Sequence, residues 1–146
     1  MSKTIVLATD HAGFELKEHV KKFLLEKGFE IKDFGALEYD ALDDYPDFII
    51  PASKFVSENK LIGIIFGGSG QGEAIAANRI KGIRAVVFYN GPDDIIELSR
   101  MHNNANILSI GARFVDNQRA EEIINLWLST TFEEGRHKKR ISKLDS

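Results

Sequence analysis

Short apolar runs alternate with amphipathic segments along the chain, and this alternation restricts the fold more than any other feature of the sequence. The runs at residues 4–9 and 61–66 are nearly continuous and rich in β-branched or aliphatic residues, which is typical of strands covered on both faces. Strands are predicted at residues 4–9, 30–34, 61–66, 84–88 and 107–110, and helices at 14–26, 46–58, 73–80, 93–102 and 117–128. The alternation predicts an α/β fold, a doubly wound three-layer sandwich of the Rossmann-like or flavodoxin-like kind with a five-stranded parallel sheet.

Length, charge and cysteine content narrow the functional classes. We assign residues 1–146 to one domain with a basic C-terminal segment at about 133–146. The chain has no cysteine, which excludes disulfides, thiolate metal sites and a cysteine nucleophile. Nineteen basic and 22 acidic residues give a net charge of −3, so we expect no nucleic acid partner. The longest apolar run is too short to cross a bilayer, and we expect no membrane partner and a cytoplasmic location.

A glycine-rich loop, residues 67–72, lies directly after the third predicted strand and before a helix. Ligands of parallel sheets bind at the carboxyl ends of the strands, and glycines there let backbone N–H groups point at an anion. The loop lacks the Lys-Ser/Thr pair of a nucleotide P-loop, and its spacing differs from the dinucleotide fingerprint. The glycines can also serve tight packing alone. Glu73, next in sequence, either complements the helix dipole or acts as a general base.

Three further groups of residues have both a functional and a structural interpretation. Asp10 and His11 follow the first strand, where Asp can cap a helix and His can be an ordinary loop residue. His102 ends the fourth helix and can simply interact with its dipole. Arg136 and Arg140 belong to a basic run of the kind that is usually solvated, but their spacing allows both to converge on one phosphate.

In combination, these segments resemble the type B ribose-5-phosphate isomerases and their galactose-6-phosphate and allose-6-phosphate isomerase relatives. The resemblance covers nearly the whole chain and rests on residues 10–14 (DHAGF), 44–46 (DYP), 68–73 (GSGQGE), 76–79 (AANR), 82–85 (GIRA), 99–103 (SRMHN), 111–113 (GAR), 135–137 (GRH) and 140. It implies an aldose–ketose isomerase that interconverts ribose 5-phosphate and ribulose 5-phosphate through an enediolate. Many members carry a cysteine base at the start of the glycine loop, where this chain has Gly68. The sequence resembles instead the branch in which a glutamate, here Glu73, is the base.

The resemblance also implies roles for the other candidates. His102 assists ring opening, Asp10 orients sugar hydroxyls or relays protons, and Asn103 approaches the substrate from a neighbouring subunit. The enediolate is stabilised by Ser69 and the loop backbone, so the implied substrate contacts there are Gly68, Ser69, Gly70, Gln71 and Gly72. The implied phosphate ligands are His11, Arg113, Arg136 and Arg140. No metal and no organic cofactor is expected.

The same resemblance implies a homo-oligomer, a dimer or tetramer, whose active sites are built from two chains. We expect Trp127, Leu128 and Phe132 to offer apolar surface to a partner. The sequence leaves the substrate open between a pentose 5-phosphate, a hexose 6-phosphate and a tetrose 4-phosphate. A non-catalytic phosphate- or nucleotide-binding module is the alternative from a different class.

Overall fold

The computed structural model describes residues 3–145, which form five strands and six α-helices. The strands are β1 (Thr4–Thr9), β2 (Glu30–Asp33), β3 (Ile62–Gly67), β4 (Ala85–Phe88) and β5 (Ile107–Gly111). The helices are α1 (Phe14–Glu26), α2 (Pro46–Asn59), α3 (Gln71–Asn78), α4 (Asp93–Met101), α5 (Asn117–Ser129) and α6 (Arg136–Ile141), and a 3₁₀ turn covers His11–Gly13. Every predicted strand and helix is present, with ends within two residues of the prediction. No helix among residues 3–145 is long and apolar enough to cross a membrane.

Helix α6 was not predicted. Its six residues carry a basic run with no apolar periodicity, so the sequence offered no helical signal. Two contacts of the C-terminal segment explain its position. The N–H of Glu133 donates to the carbonyl of Met101, and the carboxylate of Asp145 accepts the N–H of Gly82 at 2.9 Å. The basic C-terminal segment is therefore docked on the domain along part of its length.

All strand pairs of the sheet are parallel, in the order β2-β1-β3-β5-β4. The chain runs from β1 to β2 on one side and returns to β3 on the other, so the strand order reverses between β1 and β3. The crevice above the carboxyl ends of β1 and β3 is the place where such sheets bind ligands. The predicted fold class is confirmed, and Asp10 and the glycine loop both lie in this crevice.

The two faces of the sheet are covered by different helices because successive strand side chains point in opposite directions. Ile5 and Leu7 of β1 pack with α1, α4 and α5, whereas Val6 and Ala8 pack with α2 and α3. Central strands are thus buried on both sides, which explains their continuous apolar sequences.

The prediction that Trp127 offers apolar surface to a partner is wrong. Trp127 is only 1% exposed, belongs to the core under α5, and has the Arg100 guanidinium 5.7 Å from its ring. Large apolar side chains that are exposed lie elsewhere, and they include Ile75, Ile95 and Leu98. The error arose because α5 is amphipathic and the sequence does not say which neighbour covers its apolar face.

A buried lysine secures the segment that follows β2. The Lys17 side chain is fully buried and donates to both carboxylate oxygens of Asp33, at 3.0 and 2.8 Å, and to the carbonyl of Ala36 at 2.7 Å. Burial opposes ionisation of Asp33, but hydrogen bonds from Lys17, from the Gly35 N–H and from Lys21 outweigh it and hold its pKa below the usual value. This ion pair fixes the start of the loop between β2 and α2.

Replacing Lys17 with Met is expected to lower the free energy of unfolding by about 3 kcal/mol at pH 7, because it leaves Asp33 buried without its main partner. Urea unfolding followed by the fluorescence of the single tryptophan measures the loss. The exposed Lys22→Met on the same helix is the matched control and should change little. The folded-state pKa of Asp33 is depressed, so its contribution is present above the unfolded pKa. The difference between the two variants should therefore shrink as the pH falls below about 4. Equal midpoints for both variants at pH 7 would contradict this role.

Candidate active site

The turn after β1 places Asp10 against β3. The Asp10 carboxylate accepts the N–H of Ala12 at 3.0 Å and so caps the 3₁₀ turn. Gly13 permits the close approach, since any side chain there would overlap Phe66 and the Thr9 hydroxyl. Asp10 is 7% exposed as a result. The predicted site residue therefore lies at the switch point of the sheet.

The glycine loop is fixed by the neighbouring strand β5. Gly70 has a φ of +79°, a left-handed conformation that favours glycine. The buried Ser109 hydroxyl donates to the Gly70 carbonyl at 2.7 Å, and Ser69 Oγ accepts the N–H of Gln71 at 3.3 Å. Gly72 lies against the ring of Tyr45. The loop is thus pre-shaped, and the contribution of Ser109 was missed because a serine inside an apolar run carries no functional signal.

Glu73 has a buried carboxylate at the start of α3. Its side chain turns back onto Gly67, where any Cβ would overlap the carboxylate. Glu73 is 5% exposed, and burial, reinforced by the negative charge of Asp10, raises its pKa. A shielded carboxylate with raised proton affinity is suited to accepting a proton from carbon near neutral pH.

Two cationic candidates stand at the same end of the sheet. His11 Nδ1 lies 2.7 Å from Oδ1 of Asp43, a residue that the sequence did not distinguish from the other acids of its loop. Arg113 is exposed, and its N–H donates to the Gly68 carbonyl at 3.0 Å. A Cβ on Gly68 would lie 3.2 Å from the Arg113 guanidinium carbon, so the Gly68 backbone and this side chain are neighbours.

The remaining candidates form a second group. The rings of His102 and His137 stack with centroids 4.2 Å apart and an interplanar angle of 10°, and Glu133 Oε1 lies 3.6 Å from Nε2 of His102. Burial and the neighbouring His102 lower the pKa of His137. A concave surface beside the pair is lined by Asn103, Arg140, Ile141 and Leu144. Arg136 and Arg140 are exposed and make no ion pair with another residue of the described range.

These two groups lie at opposite ends of the sheet. Asp10, the glycine loop and Arg113 follow β1, β3 and β5 and so stand at the carboxyl end. Helix α4 begins at the carboxyl end of β4 and runs back to the amino end of the sheet, where His102 follows it. Asn106, four residues after His102, forms hydrogen bonds with Gly63 and Arg84 at the starts of β3 and β4. The five-residue β5 alone spans about 17 Å. One chain therefore does not bring Glu73 and His102 together.

Each group contains a cluster of side chains that could bind a metal ion, and the geometry argues against a metal in the histidine pair. His102, Glu133 and His137 have ligand atoms within 4.8 Å of one another, as do Asp10, His11 and Asp43. A metal lies close to the plane of each imidazole that binds it, and the stacked rings of His102 and His137 are nearly parallel, so one ion cannot satisfy both without a ring tilting. In the other cluster, His11 Nδ1 is already engaged by Asp43. That the reaction needs no metal or cofactor stays a prediction.

Comparisons with known proteins decide the family. The protein-family model described as Ribose/Galactose Isomerase matches residues 5–144 of this chain. The chain belongs to the ribose/galactose isomerase family. Ribose-5-phosphate isomerase B of Mycobacterium tuberculosis is 40% identical over 96% of this chain and 86% of its own length. The probable ribose-5-phosphate isomerase B of Mycoplasma genitalium is 38% identical, over 99% and 95%.

Solved structures from the same family share the fold. A ribose 5-phosphate isomerase from Thermotoga maritima superposes with a TM-score of 0.92 at 42% identity, covering 99% of each chain. Ribose-5-phosphate isomerase B from Mycoplasma genitalium, with bound ribulose-5-phosphate, gives a TM-score of 0.93 at 38% identity, covering 99% of this chain and 95% of its own. The ribose/galactose isomerase fold therefore extends over essentially the whole chain.

Replacing Gly67 with Ala is expected to lower kcat about 100-fold or more, because the new methyl group displaces the Glu73 carboxylate. Steady-state kinetics with ribose 5-phosphate measures the loss, and thermal unfolding verifies that the variant is folded. Gly28→Ala is the control: Gly28 has a φ of +93° and no neighbour within 4 Å of an added Cβ. It should cost about 1 kcal/mol of stability and leave kcat unchanged. If Gly67→Ala retained full kcat, the observed carboxylate position would not be the catalytic one.

Proposed function

We propose that this ribose/galactose isomerase interconverts ribose 5-phosphate and ribulose 5-phosphate through an enediolate, with Glu73 as the base. The observation that carries the proposal is the buried Glu73 carboxylate beside the glycine loop. The extent of similarity to proteins named ribose-5-phosphate isomerase B supports the choice of a pentose phosphate.

Proton transfer by Glu73 accounts for both directions of the reaction. The carboxylate takes the proton from C2 of the open-chain aldose. The electron pair of that C–H bond forms the C1–C2 double bond of the enediolate, while the π pair of the C1 carbonyl moves to O1. The hydroxyl proton passes from O2 to O1. The electron pair on O2 then forms the C2 carbonyl as the C1–C2 double bond takes the proton back from Glu73 at C1, which leaves the ketone at C2. The raised pKa of Glu73 brings its proton affinity closer to that of the weakly acidic carbon from which it takes the proton.

The glycine loop supplies donors for the oxygen that becomes negative. The helix start of α3 and the N–H groups of Gly70, Gln71 and Gly72 carry partial positive charge, and Ser69 adds a hydroxyl. Each well-placed donor of this kind contributes about 3 kcal/mol to such a transition state. The bond from Ser109 holds the loop in shape before substrate arrives.

Ring opening and phosphate binding draw on both groups of residues. We assign ring opening to His102, with Asn103 beside it, and substrate orientation to Asp10. The phosphate is assigned to His11, Arg113, Arg136 and Arg140, whose charge-assisted hydrogen bonds contribute about 1.5 to 3 kcal/mol each. Because these residues lie at opposite ends of one sheet, the assignment requires two chains.

We therefore propose a homo-oligomer in which each site joins the carboxyl end of one chain to the amino end of another. Exposed apolar side chains adjoin both groups, which supports the arrangement. Ile75, 59% exposed, is two residues from Glu73. Ile95 and Leu98, 45% and 41% exposed, lie on the same face of α4 as His102. A two-fold contact needs complementary patches of this kind on every chain.

The Glu73→Gln variant tests the assignment of the base. It should lower isomerisation about 1,000-fold or more and abolish solvent-hydrogen exchange at C2 of the substrate, while affinity stays within a few fold, because the amide keeps the shape but cannot accept the proton. Glu15→Gln, an exposed glutamate in the first turn of α1, is the control for a simple helix-dipole effect.

Substrate identity is read from the same assay with ribose 5-phosphate, a hexose 6-phosphate and a tetrose 4-phosphate. If the protein turned over either of the other sugar phosphates faster, that sugar phosphate would be the substrate instead of ribose 5-phosphate. Binding without exchange in the wild-type protein would indicate a non-catalytic binding module. Wild-type exchange rates in Glu73→Gln would remove Glu73 as the base.

The shared site is tested by mixing two inactive parents, Glu73→Gln and His102→Ala, after dissociation. If the two residues of a site come from different chains, a mixed dimer has one site with both defects and one intact site. Half of a random mixture is mixed dimer, so about a quarter of wild-type activity should return. The control is each parent dissociated and reassembled alone, which should remain inactive. No recovery, with mixed dimers demonstrated by mass spectrometry, would contradict the shared site.

A further inference from the structure

His11 is held from two sides by the loop between β2 and α2. Its Nδ1 lies 2.7 Å from Oδ1 of Asp43, and the same oxygen accepts the backbone N–H of His11 at 3.0 Å. The ring of Tyr39 packs edge-on against the imidazole, with centroids 6.2 Å apart and an interplanar angle of 85°. The loop thus fixes the orientation of the imidazole and engages one of its two nitrogens.

The carboxylate of Asp43 accepts hydrogen bonds from His11. Its side chain is 9% exposed, and its second oxygen, Oδ2, is buried without a hydrogen-bond partner in the described part of the chain. Both hydrogen bonds that the side chain accepts come from His11. A buried carboxylate that has one cationic partner favours the charged form of that partner.

The charged groups that face His11 are acidic. They are Asp10 at the end of β1 and Asp40 and Asp43 on the loop, and the hydrogen bond to Asp43 is the largest cause of a raised pKa of the imidazole. Protonated His11 donates from both nitrogens. With Nδ1 engaged by Asp43, the donor left for a ligand is Nε2–H, and the side chain is 30% exposed.

A sugar phosphate presents one charged group to such a donor. Its carbonyl and hydroxyl groups are neutral, whereas a phosphate monoester has a second ionisation at a pH of about 6 and is mostly a dianion at neutral pH. A charge-assisted hydrogen bond from an imidazolium to a phosphate oxygen is about twice as strong as a neutral one. The phosphate is therefore the part of the substrate that gains most from the protonated state of His11.

We propose that Asp43 is a positioning residue that orients His11 and keeps it protonated, so that Nε2–H of His11 binds the phosphate group of the substrate. The choice of substrate rests on the proposed function, whereas the pairing of Asp43 with His11 does not. The pairing extends the pH range in which phosphate dianion and imidazolium coexist.

The Asp43→Asn variant tests the proposal, because its amide oxygen can still accept both N–H groups but carries no charge. KM for ribose 5-phosphate at pH 7.5 should rise about fivefold or more with kcat nearly unchanged, and the alkaline rise of KM should begin at lower pH. Glu38→Gln removes an exposed negative charge from the same loop, and Glu38 is not among the acids that raise the pKa of His11, so its KM should stay close to wild type.

Two further measurements separate positioning from a general structural effect. In a His11→Asn background, Asp43→Asn should raise KM no further, since the residue through which it acts is gone. NMR titration of the four histidines, with the His11 signal assigned from His11→Asn, should show His11 losing its proton at lower pH in Asp43→Asn. Titration with inorganic phosphate should shift this signal more weakly in Asp43→Asn than in the wild-type protein.

An unchanged KM in Asp43→Asn, or an equal further rise of KM in the His11→Asn background, would overturn the proposal. So would an unchanged His11 titration. If Asp43→Asn failed to fold, Asp43→Glu would keep the test decisive: it retains the charge, and the titration of His11 should stay raised. The NMR arms need no turnover, so failure of the wild-type protein to isomerise ribose 5-phosphate would reject the proposed function without deciding the role of Asp43.

Discussion

The direction of the parallel strands decides which chemical groups one chain can bring together. Every strand points the same way, so the loops after β1, β3 and β5 meet at the carboxyl end, while helices that start there deliver their C-terminal residues to the opposite end. Glu73 belongs to the first set, and His102 and Arg140 to the second. No adjustment of a loop overcomes a separation set by the length of the sheet. This constraint is the physical reason for the proposed assembly.

Two groups at the carboxyl end have raised pKa values that suit different tasks. Glu73 is enclosed with Asp10 as its charged neighbour, and its pKa rises because the charged form loses hydration and meets another negative charge. His11 has a carboxylate within hydrogen-bond distance, and its pKa rises because the cation gains a partner. Burial, with the charge of Asp10, thus makes the glutamate a better proton acceptor, and the Asp43 carboxylate makes the imidazole a more persistent cation.

How far the sequence predicts this protein depends on whether a residue's neighbours are close in the chain. The strands and the glycine loop were predicted because continuous burial and glycine conformation leave local traces, such as the left-handed Gly70. Trp127 was misplaced because an amphipathic helix does not reveal what covers it. Asp43 was indistinguishable from its acidic neighbours, because its partner His11 lies 32 residues away. The family resemblance, by contrast, depends on ordered motifs, and the role that it implies for Glu73 stays a prediction.

In the proposed assembly, substrate binding and oligomerisation are thermodynamically linked. The cations assigned to the phosphate come from two chains, with His11 and Arg113 on one and Arg136 and Arg140 on the other. Brought together without a ligand, these like charges repel, and a phosphate dianion between them replaces repulsion by charge-assisted hydrogen bonds. A ligand that binds only the completed site stabilises the assembly by an amount that grows with the logarithm of its concentration over Kd. The phosphate group is thus assigned two effects, anchoring the sugar and holding together the two chains that must act on it.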